Sequence, residues 1–144
     1  MKYMMIMRDT DEALKAAEQM SFEDILNSMG RYNEELIDAG VMLAGEGLTE
    51  PKEGFVVDFG ADPPRITDGP YGATDSLFSG FWIIQVNSRE EAEEWARRCP
   101  LGPGSKLEMR RLHETEDFPQ DNEYVQKEKA WREQLGTDRP LGAD

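Results

Sequence analysis

A short turn, Asp68-Gly69-Pro70-Tyr71, contains the residue types best suited to chemistry in this chain. Asp68 offers a carboxylate that can take up a proton, and Tyr71 offers a phenol that can orient a substrate oxygen. The same residues are typical of an ordinary tight turn, because Asp hydrogen-bonds its own backbone, Gly accepts a positive φ and Pro presets φ. The sequence leaves the catalytic and the structural interpretation open, and the structural one is the more frequent for such residues.

Glu46 is the second carboxylate of interest, because it stands between Gly45 and Gly47 at the end of an apolar segment. Partial burial there would suit it to general acid or base work. Two carboxylates in unlike environments can divide the acid and base roles, so Glu46 and Asp68 are predicted as proton-handling residues that would have to converge. A solvated or salt-bridged strand end is the alternative for Glu46, since most glutamates are exposed.

The other reactive side chains do not indicate a metal or a cofactor. His113 is the only histidine and Cys99 the only cysteine, whereas a zinc site usually needs several such ligands. We expect His113 on the surface. The glycines at 45–47 and 102–104 lack the Lys-Ser/Thr of a phosphate-binding loop, and the acidic run at 90–94 lacks the spacing of a calcium loop. The prediction is therefore no cofactor and no metal.

Hydrophobic periodicity predicts the elements that position these residues. Strands are predicted at 2–8, 41–48, 55–59, 65–67, 78–86 and 106–112, and helices at 22–39, 89–99 and 121–135. The predicted helix caps are Ser21, Ser88 and Asp121, and the predicted stops are Gly40 and Pro100. The two short strands at 55–59 and 65–67 predict an inserted β-hairpin.

Without the hairpin, the element order predicts an α+β fold with the β-α-β-β-α-β topology of ferredoxin-like domains. The first and third strands, at 2–8 and 78–86, would then lie in the middle of the sheet, and both are apolar on both faces. Two helices cover only one face of such a sheet. A second copy of the chain is the predicted cover for the other face, which makes the protein a homodimer. Residues 1–115 are predicted to form the domain and 116–144 a charged C-terminal extension. This tail is the competing cover, because Tyr124, Trp131 and Leu135 lie in partial helical register within its predicted helix and could cover part of the sheet.

The composition of the chain limits the classes of partner that it is expected to bind. The chain has 144 residues and a net charge of −14, which repels nucleic acid and anionic lipid head groups. No apolar run approaches the roughly 20 residues needed to span a bilayer, and the start is too short for a secretory apolar region. A single cysteine allows no intrachain disulfide. We expect a cytoplasmic protein with neither nucleic acid nor membrane as partner.

The stretch from Asp68 to Ser76 resembles the motif of the DGPF, or DGPFAETKE, branch of the YCII-related family. Asp68, Gly69, Pro70 and Thr74 match that motif, and Tyr71 replaces its phenylalanine conservatively. The start Met1-Lys2-Tyr3-Met4, the segment Gly45-Glu46-Gly47-Leu48 and Gly80 also resemble the family, so that the likeness covers residues 1–112. The resemblance implies a dimeric α+β barrel in which two ferredoxin-like sheets face each other.

The resemblance implies two functions of different classes. One is a cofactor-free enzyme acting on a small organic molecule, with catalytic candidates Glu46, Asp68 and Tyr71. The other is a non-catalytic binding or regulatory module linked to extracytoplasmic-function sigma factors. Ala73, Asp75 and Ser76 replace the Glu, Lys and Glu of the motif, and Met29 stands where a related branch has a histidine, which favours the second function. The predicted pocket residues are Met5, Met29 and Trp82, for which a place in the core is the more frequent alternative.

Overall fold

The computed structural model describes residues 1–73 and 77–142. In chain order its elements are β1 (Lys2–Arg8), α1 (Asp11–Glu18), α2 (Phe22–Asp38), β2 (Met42–Gly47), β3 (Phe55–Asp58), β4 (Arg65–Asp68), β5 (Phe78–Gln85), α3 (Arg89–Arg98), β6 (Lys106–Arg111) and α4 (Glu123–Leu135). Short 3-10 turns lie at Pro51–Glu53 and Thr115–Asp117. The chain is therefore a mixed α+β protein, as its periodicity predicts.

The main sheet is antiparallel, with strand order β2-β5-β1-β6. The strands β1 and β5 occupy the middle, and β6 lies at an edge, as the sequence predicts. The register pairs Met5 with Trp82 on β5 and with Met109 on β6. The strands β3 and β4 form a separate two-stranded sheet, which confirms the inserted hairpin.

The helix ends follow from local side-chain chemistry. Ser21 caps α2 by accepting a hydrogen bond from the Asp24 N–H at 3.0 Å, and Gly40 follows its last turn at φ +65°. Ser88 caps α3 in the same way through the Glu91 N–H at 3.1 Å. Both helices begin where the sequence predicts and end one residue before the predicted last residue.

Two helical features differ from the sequence prediction. The helix α1 was not predicted, and its cap is Thr10, whose hydroxyl accepts from the Ala13 N–H at 3.0 Å. The predicted cap Asp121 is wrong. Asn122 caps α4 instead, with its Oδ1 2.9 Å from the Tyr124 nitrogen, because only the residue directly before the first helical turn can reach those amides.

The core lies between the main sheet and the helices α2 and α3. It contains Met5, Tyr32, Leu36, Val41, Met42, Trp82, Ile84, Val86, Ala92, Trp95 and Cys99. Tyr32 stacks edge-on against Trp82 with ring centroids 5.7 Å apart, and its hydroxyl donates to the Trp95 carbonyl at 2.7 Å. The polar groups that enter this core are therefore hydrogen-bonded, as burial requires.

Alternate residues of β1 and β5 point to the opposite face of the sheet. Met4, Phe81 and Ile83 are partly buried there, and Lys2 is only 8% exposed. Lys2 is covered by the end of the chain, because its Nζ lies 2.5 Å from Asp138 Oδ1. Beyond that contact, the Leu141 N–H donates to the Met42 carbonyl at 2.6 Å. The C-terminal segment thus folds back over one end of this face.

The apolar stripe expected to let α4 cover the sheet is exposed. Tyr124, Trp131 and Leu135 are 68%, 53% and 73% exposed. The half-buried side of the helix is formed by other residues: Val125, Glu128, Lys129 and Arg132. The contacts that hold the tail to the sheet are those of Asp138 with Lys2 and of Leu141 with Met42, in the segment after the helix.

Candidate functional site

A cleft of about 1010 Å³ lies between the hairpin, the Asp68-Gly69-Pro70-Tyr71 turn and the end of the main sheet. The hairpin contributes Phe55, Val56 and Val57, and the sheet contributes Arg8 and Phe78. Its apolar lining and its size are typical of sites for small molecules. It is the candidate functional site.

The turn forms one wall of this cleft because the hairpin closes at its base. Asp68 ends β4 opposite Phe55, and the Gly69 N–H donates to the Gly54 carbonyl at 2.8 Å. Gly69 has φ +105°, a conformation that side chains rarely adopt, so glycine is required at this position. The bend directs Pro70 and Tyr71 into the cleft lining.

The three catalytic candidates are not gathered at one point of the described cleft. Tyr71 lines it and is 88% exposed, whereas Glu46 and Asp68 do not belong to its described lining. Glu46 lies opposite Phe81 on the sheet face away from α2 and α3, and it is exposed. Thr74, Asp75 and Ser76 lie outside the described residues.

Of the two glycines beside Glu46, Gly45 serves packing, whereas a Cβ on Gly47 would meet none of the described atoms within 4 Å. A Cβ on Gly45 would lie 2.7 Å from Met42 Cε and 2.9 Å from Trp82 Cδ1, both in the core. Gly45 therefore lets β2 approach the Trp82 ring. Glu46 points to the opposite face, because neighbouring residues of a strand point to opposite faces of the sheet.

The predicted pocket residues lie on the helix side of the sheet. Met5 is fully buried and Trp82 is 6% exposed, with its Nε1 donating to Asn33 Oδ1 at 2.7 Å. Met29 lines a second, smaller cavity of about 200 Å³ between α1, α2 and the loop before β6. None of the three belongs to the described lining of the large cleft.

Nucleophilic chemistry has little support in the buried groups. Desolvation by burial raises the pKa of Cys99 to about 12, so its thiol is protonated at neutral pH. Burial likewise raises the pKa of Tyr32. His113 is on the surface, as predicted, with Nδ1 3.6 Å from Asp117 Oδ2. Within residues 1–73 and 77–142, no three His, Cys, Asp or Glu side chains are grouped to hold a metal.

Sequence reasoning missed Arg8 and the aromatic residues Phe55 and Phe78 as lining of the cleft. Arg8 ends β1 and forms an ion pair with Glu108, with Nη2 2.9 Å from Oε2. The sequence does mark Arg8, since it is a charged residue at the end of a central strand whose middle residues are apolar. The aromatic lining depends on how the hairpin folds over the sheet, which no local pattern reveals.

The fold and the cleft define a mixed α+β domain with a site of small-molecule size at one end of an antiparallel sheet. The chain belongs to the YCII-related domain family, whose model matches residues 1–116. The chain has no match among the curated proteins. Among the helices in the described parts of the chain, none is long and apolar enough to cross a membrane.

Proposed function

We propose that this YCII-related protein binds a small organic molecule in the cleft beside the Asp68-Gly69-Pro70-Tyr71 turn. The observation that carries the proposal is the cleft itself, about 1010 Å³ in volume and lined mainly by apolar side chains. Sites for small molecules combine such lining with a few polar groups, and here Arg8, Thr49 and Glu50 supply them.

A binding or regulatory module is the function the geometry supports best. Glu46 and Asp68 are exposed and stand apart from the described lining, so no carboxylate pair is available there for proton transfer. A link to extracytoplasmic-function sigma factors is the finer form of this proposal, and it rests on the resemblance of the turn to the DGPF branch alone.

The alternative is a cofactor-free enzyme, and the position of Tyr71 in the cleft wall favours it. In that case the phenol would orient the substrate, while Glu46 and Asp68 would handle protons once brought to the cleft. A single cysteine, Cys99, suits a cytoplasmic location for either function.

A homodimer with the architecture of an α+β barrel is the third part of the proposal. The strand order β2-β5-β1-β6 supports a ferredoxin-like sheet, and the partly buried Met4, Phe81 and Ile83 supply an apolar face for a second copy. Light scattering of the dilute protein should give twice the 16.4 kDa chain mass. A monomer in that measurement contradicts the dimer.

Filling the cleft tests the binding site directly. A Cβ added at Gly72 meets none of the described atoms within 4 Å, and Gly72 belongs to the cleft lining, so Gly72→Trp is expected to place an indole in the cleft. Binding of 2-naphthalenemethanol, followed by calorimetry, should weaken at least about tenfold, the equivalent of about 1.4 kcal/mol. Gly30→Trp is the matched control, since Gly30 also has open space and lies outside the cleft lining. Equal binding by both variants would refute the site.

A further inference from the structure

The second, smaller cavity lies between α1, α2 and the loop before β6. Its volume is about 200 Å³, and its described lining shares only Arg8 with that of the large cleft. The apolar side chains of this lining are Met7, Ala13, Leu14, Ala16, Ala17, Met20, Ile25, Met29, Pro100 and Leu101. An apolar cavity of about 150 Å³ is enough to hold benzene. This cavity therefore has room for a molecule with one aromatic ring.

The space below α1 exists because this helix carries short side chains on the face toward the cavity. Ala13, Ala16 and Ala17 recur at the i, i+3 and i+4 spacing of one helix face, and all three line the cavity. Their methyl groups are too short to fill it. The helix is amphipathic, yet none of its residues is buried. A ligand in the cavity would give this apolar face the packing partner that the α2 side does not supply.

The other walls carry longer and more flexible side chains. Ile25 and Met29 lie one turn apart on α2, Met7 comes from β1, and Met20 lies in the connection between α1 and α2. Methionine is unbranched and polarisable, so it adapts to the shape of its neighbour and makes favourable contacts with aromatic rings. Three methionines around one cavity therefore favour an aromatic occupant.

The helix α1 is anchored at its start, so the cavity is formed before a ligand enters it. Thr10 Oγ1 donates to the Gly104 carbonyl at 2.8 Å. Glu12 packs directly on Gly104, where an added Cβ would lie 2.6 Å from the Glu12 Cδ. Gly104 has φ +84°, a conformation that favours glycine. These contacts hold the first turn of α1 against the loop before β6, and a preorganised site needs little ordering on binding.

We propose that this cavity is a second binding site, specific for an apolar molecule with one aromatic ring. The site does not depend on the binding function of the large cleft. Arg8 is the only cation in its described lining and pairs with Glu108, and Asp9 is the only carboxylate there. An anionic ligand would therefore give up its hydration without gaining a cation that lacks a carboxylate partner. The site should discriminate against anions of the same shape.

The methionine methyl groups report on this site in the wild-type protein. Met20 and Met29 line the cavity, and no methionine belongs to the described lining of the large cleft. Toluene should shift the ε-methyl NMR signals of Met20 and Met29 saturably, while Met4, on the opposite face of the sheet, stays unchanged. Benzoate should need at least about tenfold higher concentration for the same shifts. Unchanged Met20 and Met29 signals overturn the site, and equal titrations by the two probes overturn the ligand class.

Filling the cavity tests the assignment of these shifts. Ala17→Trp adds an indole on the cavity side of α1, at an exposed position that tolerates a larger side chain. Toluene binding, followed at Met29, should weaken at least about tenfold. Ala130→Trp is the matched control: Ala130 is exposed on α4, outside the described lining, and this variant should bind toluene as the wild type does. Equal affinities of the two variants for toluene overturn the site.

Discussion

On the face of the sheet covered by α2 and α3, Met5, Trp82 and Ile84 are at most 6% exposed. On the opposite face, Ile6 is also only 6% exposed, but Met4, Phe81 and Ile83 are only partly buried. Both faces come from the same strands, so strand composition does not explain the contrast. Helix packing completes one face, while the other has the C-terminal segment at its Lys2 end and the cleft at its Arg8 end. The first face stabilises the fold, and the second leaves groups available for a partner or a ligand.

The largest loss of stability is expected for a substitution on the face covered by α2 and α3. Leu36→Ala removes a fully buried side chain of α2 and should lower the free energy of unfolding by about 2–5 kcal/mol. Phe22→Ala changes a residue of the same helix that is 74% exposed, and should stay within about 0.5 kcal/mol of wild type. Urea unfolding measures the free energy of unfolding of both variants. Similar losses in the two variants would remove the distinction between covered and open residues.

The next largest loss of stability is expected on the opposite, more open face of the sheet, where its two ends can be compared. Asp138→Asn leaves the buried Lys2 ammonium without its ionic partner and should cost about 1–2 kcal/mol, less than for a fully buried pair because Asp138 is half-exposed. Glu108→Gln breaks the more exposed pair with Arg8 and should cost less than about 1 kcal/mol. A larger loss for Glu108→Gln in urea unfolding would reverse the assignment of closed and open ends.

The stability contributed by the Lys2–Asp138 pair, at the closed end of this face, should also depend on pH. The hydrogen bond from Lys2 lowers the pKa of Asp138 below its usual value of 3.8. A lowered folded-state pKa stabilises the protein above pH 3.8, and this contribution disappears as the pH falls through the folded-state pKa. The urea midpoints of wild type and Asp138→Asn should therefore differ at about pH 7 and converge at about pH 2. A constant difference across that range would mean that the Lys2 contact does not depend on the charge of Asp138.

The smallest expected effect on stability is at the cleft. Tyr71 is 88% exposed, so Tyr71→Ala should change the free energy of unfolding by less than about 0.5 kcal/mol. The same variant should weaken 2-naphthalenemethanol binding several-fold, because one aromatic wall is lost. Thermal unfolding and calorimetry provide the two measurements. A stability loss above about 1 kcal/mol would show that the turn is structural.

The sequence predicts the sheet well because β1 and β5 need burial on both faces, and only the middle of a sheet supplies it. It misses α1 although Thr10 is a good cap and the helix is amphipathic, because Asp11–Glu18 is only eight residues long and its apolar residues are alanines apart from Leu14. It misplaces the α4 cap by one residue, since Asp121 and Asn122 are both good caps in isolation.

The site is less predictable than the fold. Residue types single out Tyr71, Glu46 and Asp68 as candidates, but which of them lines the cleft depends on how the hairpin folds over the sheet. The exposed stripe of Tyr124, Trp131 and Leu135 shows the same limit, since periodicity predicts a helix without specifying which side meets the protein.

The hydrogen bond from Leu141 to the Met42 carbonyl occupies a backbone group of an edge strand. The strand β2 is an edge of the main sheet, and open edges add strands from other molecules. The opposite edge, β6, has Lys106, Glu108 and Arg110 on one side, and such charges discourage strand addition. At β2 the same protection comes from the end of the chain. A chain shortened to Gly136 would leave this edge open to edge-to-edge pairing with other molecules.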